Sequence, residues 1–126
     1  RVLKPGRVLA VSVPRYLPEL ICWKLSPDYS KTPGGHVRIF KQTQLRKLIL
    51  KEAVSYLSFH WAHALHSPYW WLKCLFWDRE EDHWLVRKYH EFLMWDLMKK
   101  PFLTRLLEML LKPLIGKSLV MYFVKE

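Results

Sequence analysis

The histidines and cysteines are the first places to look for chemistry in this chain of 126 residues. His60-x-x-His63-x-x-His66 is the most regular pattern among them. On a helix, residues three apart share a face, so His60 and His63 could grip one metal ion. His66 is rotated a further turn away and cannot join them. Glu80-x-x-His83 has the form of one element of a di-iron bundle site, but that site needs a second such element and two more Glu. The sequence holds no other Glu-x-x-His and no HExxH. No metal is therefore expected, and the histidines read as the polar edge of a packed aromatic cluster. Cys22 and Cys74 are too few for a structural zinc site. One disulfide is open to them, with buried, reduced thiols as the default state.

Nucleophilic and phosphate chemistry find no better footing. There is no G-x-S-x-G, no P-loop and no G-x-G-x-x-G. Gly34-Gly35 follows Thr32-Pro33 and reads as a turn. Asp78, Glu80, Glu81 and Asp82 stand at the start of an expected helix, where Asp78-x-x-Glu81 has the capping-box form and acids complement the helix dipole. No catalytic residue, no cofactor and no small-molecule substrate are expected.

Binding is better provided for. Arg38, Lys41, Arg46 and Lys47 interleave with Ile39 and Phe40, a mixture suited to polyanion contact, either RNA phosphate with base stacking or lipid phosphate. Tyr69-Trp70-Trp71-Leu72-Lys73-Cys74-Leu75-Phe76-Trp77 is apolar nearly all round. Such a segment must be covered on every side. Tyr69, Trp70, Trp71, Lys73 and Trp77 are accordingly expected to meet lipid or a partner, with the Lys73 stem laid along the boundary. Seven Trp, six Tyr and six Phe are many for a small monomer to hide.

The net charge of +10 is unevenly spread. Residues 1–51 hold eleven Lys/Arg against Glu19 and Asp28, residues 78–98 are net acidic, and residues 99–126 are basic again with six Lys/Arg against two acids. A one-sided segment of this kind suits RNA, an anionic lipid surface or an acidic partner. The first eighteen residues hold Arg1, Lys4, Arg7 and Arg15, no acid and no opening Met, which resembles the flank of a mitochondrial targeting sequence.

The elements that must position these residues are expected to be mainly α: a small helical bundle of about four helices with an extended Pro-rich N-terminal arm. Pro5, Pro14, Pro18, Pro27 and Pro33 block a long helix, although Val8 to Val13 suits a short strand. Residues 1–41 read as the basic arm and 42–126 as the helical domain. From Gln42, apolar residues at three- and four-residue spacing run through Leu45, Leu48, Ile49, Ala53, Tyr56, Leu57, Trp61 and Leu65. Ser67-Pro68 then opens the Trp-rich helix. A helix is expected over 79–98, closed by Pro101. A last one carries an inner stripe of Leu103, Leu106, Leu107, Leu110 and Leu111. The tail 118–124 is open to strand or helix. Residues 53–77 carry Lys73 as their only formal charge, but the three His and the amphipathic first half favour an interfacial or buried helix over a span.

Together these features suggest a non-catalytic accessory subunit of a large mitochondrial inner-membrane complex, such as a respiratory-chain complex or ATP synthase. It would bind neighbouring subunits and anionic phospholipid. An RNA-bound or ribosomal mitochondrial protein is the alternative.

Overall fold

The structure, a computed structural model, describes residues 2–33, 36, 38–79 and 83–126. In chain order it contains β1 (Val8–Pro14), α1 (Tyr16–Leu25), α2 (Gln42–Ile49), β2 (Val54–Ala62), α3 (His66–Leu75), α4 (Trp84–Lys99), α5 (Phe102–Ile115) and β3 (Ser118–Lys125). Single 3-10 turns form at Tyr29–Lys31 and Trp77–Arg79.

The mainly helical bundle is overturned: the described chain is 54% helical and 22% strand, an α/β mixture. The three strands form one antiparallel sheet in the order β1-β3-β2, so the C-terminal strand lies in the middle. Its alternation explains why. Leu119, Met121 and Phe123 point to one face and are at most 1% exposed, while Val120, Tyr122 and Val124 point to the other and stay half-buried. The helix expected beyond Ile49 is strand β2 instead. A bulge between Tyr56 and Ser58 inserts one extra residue opposite β3, so Tyr56 pairs with Phe123 and Phe59 with Met121. Two same-face residues thereby become three apart, which imitates helical spacing. The β-branched and aromatic content of Val54, Tyr56, Phe59 and Trp61 is the signal that favours strand.

The extended arm is overturned as well. Val8–Pro14 is an edge strand in register with β3 from Val8↔Val124 to Pro14↔Ser118. Residues 16–25 are helical because Pro18 falls in the first turn, where a backbone N–H has no partner to lose. Pro14 ends an edge strand, another position that tolerates a missing donor.

Two cores result. Leu45 of α2 closes over Leu119, Met121 and Phe123, with Leu9, Val11, Val13 and Ile49 around them. The second lies between α1 and α3, where Cys22, Tyr29 and Cys74 are ringed by Trp23, Trp70, Trp71 and Trp77. α4 packs on α3 through Tyr89, which stacks on Tyr69 and donates its hydroxyl to the Leu65 carbonyl at 2.8 Å. α4 starts at Trp84 rather than 79, with His83 as its cap: the ring Nδ1 accepts from the Leu85 N–H at 3.3 Å. Glu80, Glu81 and Asp82, with the capping box and Glu80-x-x-His83 pattern drawn on them, lie outside the described residues, as do Gly34 and Gly35. Among the described residues no helix is long and apolar enough to cross a membrane.

Burial, followed by the neighbouring Glu19 charge, raises the Tyr29 hydroxyl well above the ordinary tyrosine range. The unfolded chain releases this proton near pH ~10 and the folded chain holds it to higher pH. Tyr29 thus contributes stability that is complete below that pH and is lost as pH rises above it. Urea titrations across the alkaline range should show the fall, and Tyr29→Phe should flatten it. An unchanged slope in the variant would place the alkaline loss elsewhere.

Candidate interaction surface

α5 carries two kinds of residue at helical spacing. Thr104, Glu108 and Lys112 recur every four positions and form a narrow polar stripe, and nearly everything else is apolar. The fold turns the polar stripe inward. Glu108 is the centre of the attachment: its two carboxylate oxygens accept the backbone N–H of Ala64 at 2.7 Å and of Leu65 at 3.0 Å. These lie at the start of α3, where helix N–H groups lack partners and a negative charge is favoured. The other end of α5 is held by Arg15, whose guanidinium donates to the carbonyls of Lys112 at 3.1 Å and Pro113 at 2.7 Å while lying 4.0 Å from the Trp61 ring. Ser67 donates to the Ile115 carbonyl at 2.6 Å. Gly116 then lets the chain turn into β3 against Trp61: a Cβ there would stand 2.8 Å from the Trp61 Cβ and 2.6 Å from the Lys112 oxygen.

Polar clasps therefore dock α5, and its apolar arc faces outward. Phe102 is 81% exposed, Leu103 64%, Leu110 60% and Leu114 67%. The expected inner stripe is corrected accordingly: Leu103, Leu107 and Leu110 are exposed, and only Leu106 and Leu111 are half-buried. The last turns of α4 add exposed Met94, Trp95, Leu97 and Met98. Lys100, in the left-handed conformation at φ 48°, ends α4 and swings the chain through Pro101 into α5. Lys99, Lys100 and Arg105 are exposed around this corner. Glu108, the one acid of α5, is turned into the clasp. Exposed apolar residues in such density mark a contact surface rather than scattered surface chemistry.

The residues singled out in the sequence sit elsewhere. Trp70, Trp71 and Trp77 interlock α1 with α3: Trp71 donates its indole N–H to the Pro18 carbonyl at 3.1 Å, and Trp70 and Trp77 pack on Tyr29 at 5.9 and 6.0 Å. Tyr69 stacks on Tyr89, and the Lys73 ammonium lies 5.0 Å from Trp70 and 5.7 Å from Tyr69. All five remain half-buried. Arg38 and Lys47 are exposed. Lys41 lies 5.3 Å from the Tyr16 ring and Arg46 4.0 Å from the Tyr56 ring.

The three histidines do not share a helix. His60 is on β2, stacked on Tyr122 at 5.6 Å. His63 takes φ 61° in the turn, and His66 opens α3 with its ring 5.3 Å from that of His63. Desolvation, then the charge of His63, lowers the His66 pKa. A cleft of about 450 Å³ separates these two from Leu97, Thr104 and Arg105. Among the described residues no three His, Cys, Asp or Glu are grouped to hold a metal ion.

No protein family, curated protein or solved structure matches this chain. Function has to be read from the surface itself. The outward turn of α5 escapes sequence reasoning because periodicity reports an apolar and a polar side without saying which faces inward. The narrowness of the polar stripe was the available signal: three side chains suffice to dock a helix and are few to solvate one.

Proposed function

We propose that the chain is a non-catalytic, membrane-peripheral structural subunit, an accessory component of a large mitochondrial inner-membrane assembly such as a respiratory-chain complex or ATP synthase. The observation that carries the membrane part is the outward apolar arc of α5, rimmed at its start by Lys99, Lys100 and Arg105. A helix with Phe and Leu on one side and basic residues at its margin lies in the plane of a bilayer interface, with the apolar side chains among the acyl chains and the cations at phosphate level. Each Lys or Arg near an anionic leaflet adds about 1 kcal/mol. Met98 and Trp95 of α4 extend the same chemistry, Trp being at home where one side is greasy and the other wet. A protein partner fits less well, since protein interfaces are depleted in Lys. RNA is the weaker reading because nothing in an apolar arc of Phe and Leu side chains matches a phosphate backbone, whereas it matches acyl chains. The mitochondrial assignment rests on the acid-free basic start of the sequence.

The test is vesicle flotation. The chain should float with vesicles containing an anionic phospholipid and stay behind with purely zwitterionic ones. Leu103→Glu, Leu110→Glu and Leu114→Glu together should abolish flotation with little change in stability, because those side chains are already in water. Failure of the wild-type chain to float, or retention by RNA in its place, would defeat this reading.

A further inference from the structure

We propose that the cleft between the His63–His66 turn and α5 seats the headgroup of one anionic glycerophospholipid whose headgroup carries hydroxyls, of the phosphatidylglycerol class. The inference rests on the membrane reading and deepens it: the arc of α5 brings the chain to the bilayer, and the cleft selects a lipid there. The cleft measures about 450 Å³ and is lined by His63, His66, Asp96, Leu97, Arg105 and Lys112, within the size range of small-molecule sites.

Helical spacing sets its place. Arg105 and Lys112 are two turns apart on one flank of α5, between the docked Glu108 and Met109, which is 60% exposed on the apolar arc. Cations on the flank of an interfacial helix reach the depth of lipid phosphate. Leu97, 62% exposed on the facing wall, belongs to the apolar residues that end α4, so a lipid stem leaving the cleft meets apolar surface.

What the cleft offers follows from which of its groups are already used. Both oxygens of Glu108 are taken by the N–H groups of Ala64 and Leu65, and the Thr104 hydroxyl donates to the Pro101 carbonyl at 2.9 Å. Among the described residues, the side chains of Arg105, Lys112 and Asp96 make no hydrogen bond or ion pair. With Glu108 answered by the start of α3, Arg105 and Lys112 exceed Asp96 by one positive charge, which matches one phosphodiester. Arg105 presents a fork to phosphate oxygens and Lys112 a point charge. Asp96 remains as an acceptor. So does His66, whose ring lies 5.3 Å from that of His63 and whose pKa desolvation and then the His63 charge lower, leaving a neutral ring at pH 7 with one accepting nitrogen. Cations beside acceptors fit a phosphate with hydroxyls beyond it. A bare phosphate or a choline headgroup has no such donors for Asp96 and His66.

The test titrates the whole chain with a soluble short-chain lipid, dihexanoylphosphatidylglycerol, below its micelle-forming concentration. The NMR ring signals of His63 and His66 should move to saturation. Dihexanoylphosphatidylcholine and inorganic phosphate should each need at least about tenfold more. Arg105→Gln, at an exposed position, and Lys112→Gln should each weaken binding at least about tenfold. The chain carrying Leu103→Glu, Leu110→Glu and Leu114→Glu, expected not to float, should still bind the short-chain lipid, because its changes lie across α5 from the cleft. Wild type that floats with anionic vesicles but shows no saturation would overturn the cleft site and leave the membrane reading standing. Phosphate that binds as tightly as the lipid, or full binding by the two Gln variants, would also overturn the site. Wild type that binds the short-chain lipid yet floats with no vesicle would sink the membrane reading and the proposal resting on it.

Discussion

Replacing Phe123 with Ala should cost about 3–5 kcal/mol, a large share of the stability of a small domain. Phe123 is fully buried in the middle of the central strand, edge-on to Tyr56 with ring centroids 5.7 Å apart. It belongs to the cluster closed by Leu45. The substitution removes the burial of a large ring and leaves a void that two hydrogen-bonded neighbouring strands cannot collapse to fill. Total stabilities of such domains are about 5–15 kcal/mol, so the effect should be plain in a urea denaturation curve. The same substitution at Phe59, on the same face by register but 40% exposed, should cost far less. Equal losses at the two positions would mean that α2 does not cover the sheet as described.

The second large effect belongs to Glu19, a carboxylate with no solvent exposure. It accepts from the ring Nδ1 of His36 at 2.8 Å and the Lys117 ammonium at 3.4 Å. Through these groups α1 is tied to the corner between α5 and β3. Glu19→Ala should cost about 3–5 kcal/mol, because it strands the charge of Lys117, whose side chain is only 14% exposed. Glu19→Gln keeps an acceptor and should cost less. His36 is 45% exposed, and His36→Ala should fall within about 1 kcal/mol. The deciding measurement is a double-mutant cycle with Lys117→Met. If stranding is the cause, Glu19→Ala with Lys117→Met should be more stable than Glu19→Ala alone. Simple additivity would assign the loss to packing instead.

Much of the local structure was legible. Gln42 begins a helix, Pro101 separates the last two helices, and the tail, open between strand and helix, is a strand whose Leu119, Met121 and Phe123 alternate cleanly. The misreadings have physical causes. The bulge after Tyr56 turned a period of two into a step of three, and a window of apolar residues then looked helical. Pro14 and Pro18 suggested an arm because proline opposes regular structure in general, yet an edge-strand end and a first helical turn are the places that tolerate it. The Trp-rich segment, expected to need cover on every side, is half-buried. Part of its cover comes from α1, a helix that the proline count had hidden.

The sequence by itself determined the chemistry on offer: a basic, aromatic-rich chain with two thiols, and a last helix divided into a polar stripe and a wide apolar arc. These follow from side-chain types and helical spacing, which are local. Tertiary structure decided which side of α5 faces inward, because that depends on partners distant in sequence: the free N–H groups of Ala64 and Leu65 waiting for Glu108, and the Arg15 guanidinium waiting for the carbonyls of Lys112 and Pro113. It likewise brought Cys22 and Cys74 together, and it placed the C-terminal strand between two strands that begin 46 residues apart in sequence. Such pairings balance loop-closure entropy against burial over the whole chain, and no window of neighbouring residues contains that balance.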